Sequence, residues 1–314
     1  MNVLVTGSNG QLGSEIRNLI SNDECLMMNV KWYFPDRSTL DITNKDAIES
    51  FCTQNNINMI INCAAYTAVD KAEEDEVNAN KINHLAVKYL AQISKEKNII
   101  LVHISTDYVF DGMNHRPYVE TDTTNPQSVY GQTKLDGERA MLEINPANSI
   151  IIRTSWVYSS FGANFVKTML RLGKERDELG VIFDQIGSPT YARDLAETIL
   201  MIVSGYRELD IGDSEKQQKN TTSHPQAHTS SVEIYNYSNE GVCSWYDFAK
   251  AIFELSDIQC DVKPIETKEY PTPAKRPHYS LLNKAKIKET FDLEIPYWKD
   301  SLRDCITQIM SVEG

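Results

Sequence analysis

The chain opens with a strand, a glycine turn and a helix, and this feature restricts its fold more than any other. Residues 2–6 form a short run rich in valine and leucine, the composition of a buried parallel strand. The run leads into Gly7, Gly10 and Gly13, and a helical pattern of apolar residues follows. Glycines at such a turn let a dinucleotide pyrophosphate approach the backbone at the helix N-terminus. The spacing Gly-x-x-Gly-x-x-Gly differs from the commoner Gly-x-Gly-x-x-Gly, so its weight comes from its position directly after a strand.

Strand and helix patterns then alternate at intervals of about 30 residues, which is typical of βαβ units. Further strands are predicted at 31–34, 59–63, 99–104 and 149–154. We expect an α/β fold: a Rossmann-type doubly wound parallel sheet over residues 1–160, which binds NAD(P), and a smaller C-terminal α/β region over 161–314, mainly for substrate. Residues 208–231 are polar and lack periodicity, so they are interpreted as a mobile surface insertion.

The composition and the charge of the chain disfavour several kinds of partner and location. The formal net charge of −13 disfavours nucleic acid and anionic membrane surfaces. No apolar run reaches the length of a membrane span, and the N-terminus lacks the pattern of a signal peptide. The 6 cysteines are scattered without metal-binding spacing, as expected for thiols in a reducing compartment. We therefore expect a soluble cytoplasmic protein with no bound metal.

Tyr130 and Lys134 are the candidate catalytic pair, because residues four apart lie on one face of a helix. Ser128 is a plausible N-cap of that helix. A free phenol has a pKa of about 10, and a neighbouring ammonium favours its ionised form. The motif alone is common by chance, and an exposed helix turn is the plainer alternative. Ser105 and Thr106 end the strand at 99–104, where open α/β sheets bind ligands, although such hydroxyls also cap backbone.

Asp36 and Arg37 bear on the choice of cofactor. An acidic residue about 20 positions after the glycines suits a ribose 2′-hydroxyl, whereas an arginine suits a 2′-phosphate. Both are present after the second strand, so use of both NADPH and NADH is the hypothesis, with NADPH preferred. A surface turn explains the same residues equally well.

These motifs occur in the order and spacing of the extended short-chain dehydrogenase/reductases. Within them the chain resembles the dTDP-4-dehydrorhamnose reductase family over about residues 1–302, with 208–231 as the main gap. The strings that carry the resemblance are residues 10–13, 64–73, 105–112, 130–135, 153–158 and 187–190.

The resemblance implies hydride transfer to C4 of dTDP-4-dehydro-L-rhamnose, from NADPH or, as an alternative, from NADH. The product is dTDP-L-rhamnose, a precursor of cell-surface polysaccharide. Tyr130 would protonate the C4 oxygen, and Lys134 would bind the nicotinamide ribose and lower the pKa of Tyr130. Thr106 would hydrogen-bond the sugar oxygen within reach of the phenol.

The resemblance also implies further contacts. Asp107 and Trp156 would line the sugar pocket. Arg276 is a separate candidate for the nucleotide diphosphate, because guanidinium binds phosphate bidentately, although it also fits a solvated turn. The remaining cofactor contacts, to pyrophosphate, adenine and nicotinamide, would come from Gly7, Gly10, Gln11, Leu12, Gly13, Asp41, Ile42, Ala65, Tyr66 and Thr67.

Two departures from the family pattern affect the oligomer and the C-terminal part. Some members dimerise through a magnesium ion held by glutamates; Glu15 matches one ligand position, but Arg193 stands where another glutamate is usual. This predicts a monomer or weak homodimer. Asn283 replaces a usual aspartate after the Arg276 loop.

Two other functions stay open. One is another nucleotide-sugar enzyme of the superfamily: Tyr108 after Asp107, in place of glutamate, disfavours a dehydratase, but an epimerase using Tyr130 is harder to exclude. The other is a non-catalytic binding subunit like the beta subunit of methionine adenosyltransferase. Retention of Thr106, Tyr130, Lys134 and Trp156 favours an active reductase.

Overall fold

The structure is a computed structural model that describes residues 1–22, 30–212 and 230–313. Its strands in this part of the chain are β1 (Asn2–Thr6), β2 (Lys31–Tyr33), β3 (Met59–Asn62), β4 (Ile100–Thr106), β5 (Ile150–Thr154), β6 (Val157–Tyr158), β7 (Glu178–Ile182), β8 (Ile186–Gly187), β9 (Thr190–Tyr191), β10 (Glu233–Asn236), β11 (Cys243–Ser244) and β12 (Asp261–Ile265).

The helices follow the strands in the alternation that the sequence predicts. A π-helical turn at Lys81–Leu85 joins two of them. The helices are α1 (Gln11–Ser21), α2 (Lys45–Gln54), α3 (Val69–Ala72), α4 (Glu76–Asn80), α5 (Ala86–Lys97), α6 (Val129–Ile144), α7 (Phe165–Glu175), α8 (Ala192–Gly212), α9 (Trp245–Ser256), α10 (Ala285–Phe291) and α11 (Trp298–Glu313).

Six strands form one parallel sheet in the order β10-β5-β4-β3-β1-β2. The chain order reverses between β1 and β3, because β1 pairs with both β2 and β3. Ligands of doubly wound sheets bind at the carboxyl ends of the strands at such a reversal. The predicted fold class is confirmed, and the topology directs attention to the loops after β1 and β3.

Alternating residues of the strands divide the core between the two faces of the sheet. Val3 and Val5 of β1 pack with Ile16 of α1 and with the apolar face of α8. Leu4, between them in sequence, faces the opposite cluster, to which α2, α5 and α6 contribute, including Leu90. Helices on both faces explain why β1 and β3 are nearly continuous apolar runs, since neither face meets water.

The chain beyond residue 160 contributes to two regions. Helices α7, α9 and α11 enclose a separate apolar cluster around Phe248 and Leu302, beside the parallel pair β7 and β12. However, β10 adds the sixth strand to the main sheet, and α8 covers one of its faces. The main sheet therefore includes residues from both sides of position 160. The assignment of residues 1–160 to the cofactor and of 161–314 mainly to the substrate stays a prediction. None of the helices in the described ranges is long and apolar enough to cross a membrane.

The predicted insertion at 208–231 begins too early. Helix α8 continues to Gly212, so the first residues of the stretch 208–231 are helical. Tyr206 ties this extension to the body, since its hydroxyl donates to the carbonyl of Asn148 at 2.9 Å. Residues 213–229, most of the predicted insertion, lie outside the described residues.

Candidate active site

The glycine turn between β1 and α1 is closely packed. Gly7 has φ of +65°, a left-handed conformation that favours glycine, and a Cβ there would lie 2.5 Å from the backbone nitrogen of Ala64. A Cβ on Gly13 would lie 2.5 Å from the carbonyl oxygen of Gly7. Gly10 is the N-cap of α1 and supplies no side-chain hydrogen bond to it. The first N–H groups of α1 thus point towards the turn without a side-chain cap, as a phosphate site requires.

A cavity of about 560 Å³ runs from this turn along the carboxyl ends of β1, β3 and β4. Its volume lies in the range of ligand pockets, and the glycine turn at one end fits a dinucleotide. Two of the predicted cofactor residues, Gly13 and Tyr66, are not part of its lining: Gly13 packs behind the turn, and the Tyr66 hydroxyl donates to Asp75 at 3.1 Å. The predicted residues that do line it are Gly7, Gly10, Gln11, Leu12, Asp36, Arg37, Asp41, Ile42, Ala65, Thr67, Tyr130 and Lys134.

The turn after β2 separates the roles of Asp36 and Arg37. Asp36 Oδ1 accepts hydrogen bonds from the Ser38 hydroxyl at 2.7 Å and from the backbone N–H of Thr39 at 2.8 Å. These bonds, with that from Ser38 the largest influence, lower the pKa of Asp36 to about 2. The carboxylate is thus held by its own turn, while Arg37 is exposed and lines the cavity. This geometry favours a cofactor with a 2′-phosphate.

Tyr130 lies in the first turn of α6, close to the end of β4. Ser128 is the N-cap, and its hydroxyl accepts from the N–H of Gly131 at 3.1 Å, as predicted. Tyr130 is buried, and burial is the main reason that its pKa rises to about 12; a hydrogen bond with Thr106 acts in the opposite direction. A phenol with this pKa holds its proton at neutral pH, as a general acid must.

Ser105 and Thr106 are neighbours on β4, and their side chains have different partners. Successive side chains of β4 point to opposite faces, and the Ser105 hydroxyl donates to Glu138 Oε1. Thr106 is the hydroxyl associated with Tyr130.

Lys134 lies one helical turn after Tyr130 and is buried. Its ammonium donates to the carbonyl of Ile104 at 2.6 Å and lies 3.5 Å from His103 Nε2. Burial lowers the pKa of Lys134 to about 8, and nearby Glu138 raises it. Burial outweighs the other influences on the pKa of the Tyr130 phenol, and the Lys134 ammonium donates to the Ile104 carbonyl. The lowering of the Tyr130 pKa by Lys134 stays a prediction.

A buried ion pair supports this helix, and the sequence analysis missed it. Arg153 on β5 donates to Glu138 on α6, with Nη2 to Oε2 at 2.7 Å and Nε to Oε1 at 3.0 Å. The two side chains are 3% and 1% exposed. Glu138 is four residues after Lys134, so the helical spacing already placed a carboxylate on the catalytic face. Its partner on β5 had no comparable local signal.

Gly131 is a second residue that the sequence analysis did not assign. A Cβ there would lie 2.3 Å from the carbonyl oxygen of Tyr108, so glycine lets α6 approach the end of β4. We expect Gly131→Ala to displace Tyr130 and to lower kcat about 10²-fold, the typical cost of a misplaced catalytic group. Steady-state kinetics would measure it. Gly205→Ala is the matched control, because nothing lies within 4 Å of its Cβ position, and its kcat should not change.

The predicted substrate residues lie in different surroundings. Asp107 is buried and accepts a hydrogen bond from the Thr106 hydroxyl at 2.9 Å. The indole of Trp156 stacks on Trp245 with ring centroids 3.6 Å apart, so that one ring face is already covered. Arg276 forms a bidentate pair with Asp70, at 2.9 and 2.7 Å. A diphosphate would have to share or displace Asp70, and these substrate contacts stay predictions.

Glu15 and Arg193 lie at the positions where some family members hold magnesium with glutamates. Glu15 is buried, and its Oε1 accepts from the Ser159 hydroxyl at 2.6 Å. Arg193 is oriented towards Glu197, with Nε to Oε1 at 3.3 Å. The described part of the chain contains no group of three or more His, Cys, Asp or Glu side chains that could hold a metal ion.

The doubly wound sheet, the glycine crevice and the Thr106, Tyr130 and Lys134 set define a short-chain dehydrogenase/reductase of the extended type. The chain belongs to the family described as RmlD substrate binding domain, whose model matches residues 1–311.

Named relatives cover the chain almost completely. A dTDP-4-dehydrorhamnose reductase of Aggregatibacter actinomycetemcomitans is 41% identical, over 96% of this chain and 97% of the relative. The crystal structure of a dTDP-4-dehydrorhamnose reductase from Clostridium acetobutylicum has a TM-score of 0.85 at 41% identity, covering 99% and 100%. That of the enzyme from Bacillus anthracis, in complex with NADP, has a TM-score of 0.84 at 36% identity, covering 98% and 99%.

Proposed function

We propose that this protein reduces the C4 keto group of dTDP-4-dehydro-L-rhamnose to give dTDP-L-rhamnose, with NADPH as the reductant. The observation that carries the proposal is the buried phenol of Tyr130 at the wall of the cofactor crevice, one helical turn before the buried Lys134 on α6. Full-length relatives named as dTDP-4-dehydrorhamnose reductases, one of them solved with NADP, support this substrate and cofactor.

A bound reduced nicotinamide would supply the hydride, and the residues of the chain would supply the proton and the geometry. Tyr130 donates its proton to the C4 oxygen as negative charge develops there. Thr106 orients that oxygen, and Lys134 offers an ammonium to the cofactor ribose. The Glu138–Arg153 pair fixes the face of α6 from which both helical residues project. NADH use, a cytoplasmic location and a monomer or weak homodimer belong to the same proposal.

The first test is the absorbance of the reduced nicotinamide, followed with dTDP-4-dehydro-L-rhamnose and either cofactor. Cofactor oxidation that requires both protein and sugar is the expected result. If the protein binds NADPH but no dTDP-4-keto sugar causes it to oxidise the cofactor, the result would contradict the proposal. That result would favour a non-catalytic binding subunit.

Arg37 is expected to select the cofactor. Arg37→Ala should raise the KM for NADPH about 10-fold, as the loss of one charge-assisted phosphate contact predicts, and should leave the KM for NADH unchanged. Arg303→Ala, an exposed arginine paired with Asp300, is the control and should alter neither value. An unchanged ratio of the two KM values in Arg37→Ala would rule out Arg37 as the selector.

A further inference from the structure

Three strands of the main sheet change from apolar to polar on the face that α2, α5 and α6 cover. Each strand first contributes one apolar residue to the core of this face: Leu4, Ile60 and Leu101. Two positions later stand Thr6, Asn62 and His103, on the same face because the side chains of a strand alternate. The strand register places Thr6 beside Asn62 and Asn62 beside His103. These three residues form a polar row across the carboxyl ends of β1, β3 and β4.

The polar row is hydrogen-bonded and buried. The Thr6 hydroxyl lies 2.6 Å from the side-chain amide of Asn62, and that amide lies 3.0 Å from Nδ1 of His103. Asn62 and His103 are both 0% exposed. Burying polar side chains costs stability unless they are paired, whereas apolar residues would have continued the core without that cost. The polarity of the row therefore indicates a use other than packing.

The polar row ends at Lys134. Nε2 of His103 lies 3.5 Å from Nζ of Lys134, and the carbonyl of Ile104 accepts from the same nitrogen at 2.6 Å. Ser105, the next residue of β4 on this face, donates to Glu138, which lies one helical turn after Lys134. Two polar residues of β4 thus contact two successive turns of α6, and His103 is the one that contacts the candidate catalytic lysine.

We propose that His103 is a positioning residue for Lys134: its neutral imidazole accepts one ammonium proton at Nε2 and so directs another N–H to the cofactor ribose. The proposal rests on the reductase function proposed above. An ammonium has three N–H donors and no acceptor. The Ile104 carbonyl takes one donor and His103 takes another, so the third is left for the cavity, whose wall includes Lys134.

The charge of Lys134 determines the tautomer of His103. A ring nitrogen that faces an ammonium must offer its lone pair, so the single ring proton is on Nδ1. Nδ1 then donates to the amide oxygen of Asn62, and the amide NH₂ donates to the Thr6 hydroxyl. An amide can present either end to a neighbour, and a hydroxyl both donates and accepts, so every group of the polar row is satisfied in this direction.

The surroundings of His103 keep the imidazole uncharged. Burial lowers the pKa of His103 well below its usual range, and the charge of Lys134 lowers it further. The carboxylate that acts on Lys134 from α6 is Glu138, which is itself paired with Arg153. His103 therefore stays a neutral acceptor at the pH values at which the reduction would be measured.

His103→Leu and His103→Gln test the proposal as a matched pair. Both side chains are uncharged and close to imidazole in size, but only glutamine can place an acceptor where Nε2 lies. In His103→Leu we expect kcat to fall about 10²-fold, the typical cost of a misplaced catalytic group. The Kd for NADPH should rise about 10-fold, as the loss of one hydrogen bond to a charged group predicts.

His103→Gln should keep both values near those of wild type. A merely structural role for the histidine would make the two variants equally poor per folded molecule. Equal losses in both variants, or wild-type values in His103→Leu, would overturn the proposal.

The tautomer supplies a readout on the wild-type protein, so it does not depend on the folding of either variant. With ¹⁵N-labelled histidine, the ring of residue 103, assigned through its bonds to the backbone, should be neutral and carry its proton on Nδ1. Its ring shifts should not titrate between about pH 6 and 8, the interval in which an ordinary imidazole changes charge. His115, which is exposed, is the reference ring. A proton on Nε2 of His103, or a mixture of tautomers, contradicts the proposal.

The outcomes separate the positioning role from the reductase function. The tautomer and the Kd for NADPH are measured without sugar. Absence of turnover in wild type with every dTDP-4-keto sugar counts against the reductase function, while these two measurements still decide whether His103 positions Lys134. Turnover in wild type with the ring proton on Nε2 overturns the role of His103 alone.

Discussion

Replacing Tyr130 with phenylalanine is expected to lower kcat by about 10³-fold while the Kd for NADPH stays nearly unchanged. General acid catalysis contributes about 10² to 10⁴-fold, and the phenol of Tyr130 lines the cavity. The phenol is buried, so the substitution removes one oxygen from a packed site and leaves the glycine turn intact. Steady-state kinetics and fluorescence titration with NADPH would measure the two quantities.

Tyr89→Phe is the matched control. Tyr89 lies on α5 at the core beneath the sheet and is not part of the cavity lining, so loss of its hydroxyl should leave kcat within about 2-fold. Wild-type turnover by Tyr130→Phe would remove the proposed mechanism.

Arg153→Met is expected to lower the free energy of unfolding by about 3–5 kcal/mol. The change leaves the carboxylate of Glu138 buried without its partner, and breaking a buried pair from one side has this cost. It also removes the contact of the guanidinium with the ring of Phe110, 5.0 Å from its centroid. Urea unfolding, followed by circular dichroism, would measure the change in midpoint.

Two further variants isolate the cause. Arg171→Met breaks the exposed pair between Arg171 and Glu175 and should change the free energy of unfolding by about 0.5 kcal/mol or less. The double variant Glu138→Leu with Arg153→Met removes both charges and should recover much of the loss. A double variant as unstable as Arg153→Met would show that packing, and not the unpaired charge, sets the cost.

Local patterns allowed most of the fold to be predicted from the sequence. The apolar runs gave β1, β3, β4 and β5 to within two residues, since buried parallel strands carry their signal in their own composition. The N-cap at Ser128 was also correct, because a cap depends on residues within one turn. The predicted start of the insertion was wrong because α8 continues past it, with Tyr206 held by Asn148, which is distant in the chain.

The same distinction applies to the site. Tyr130 and Lys134 could be paired from their helical spacing, and the glycine turn from its place after β1. Contacts between distant elements could not be read in this way: the Glu138–Arg153 pair joins a helix to a strand, and Arg276 meets Asp70 across the cleft. The sequence offered Arg276 as a phosphate ligand, whereas the structure shows its guanidinium already paired with a carboxylate.

Strand β10 has a consequence for how the protein is synthesised. It pairs along Ile150–Arg153 of β5, although about 80 residues separate the two strands in the chain. Until the ribosome has released β10, the isoleucine-rich edge of β5 has no neighbour, and such an edge can recruit a second unfinished chain. A gene fragment that ends at residue 160 should therefore yield aggregated protein, and the dinucleotide crevice should form only when the C-terminal half is present.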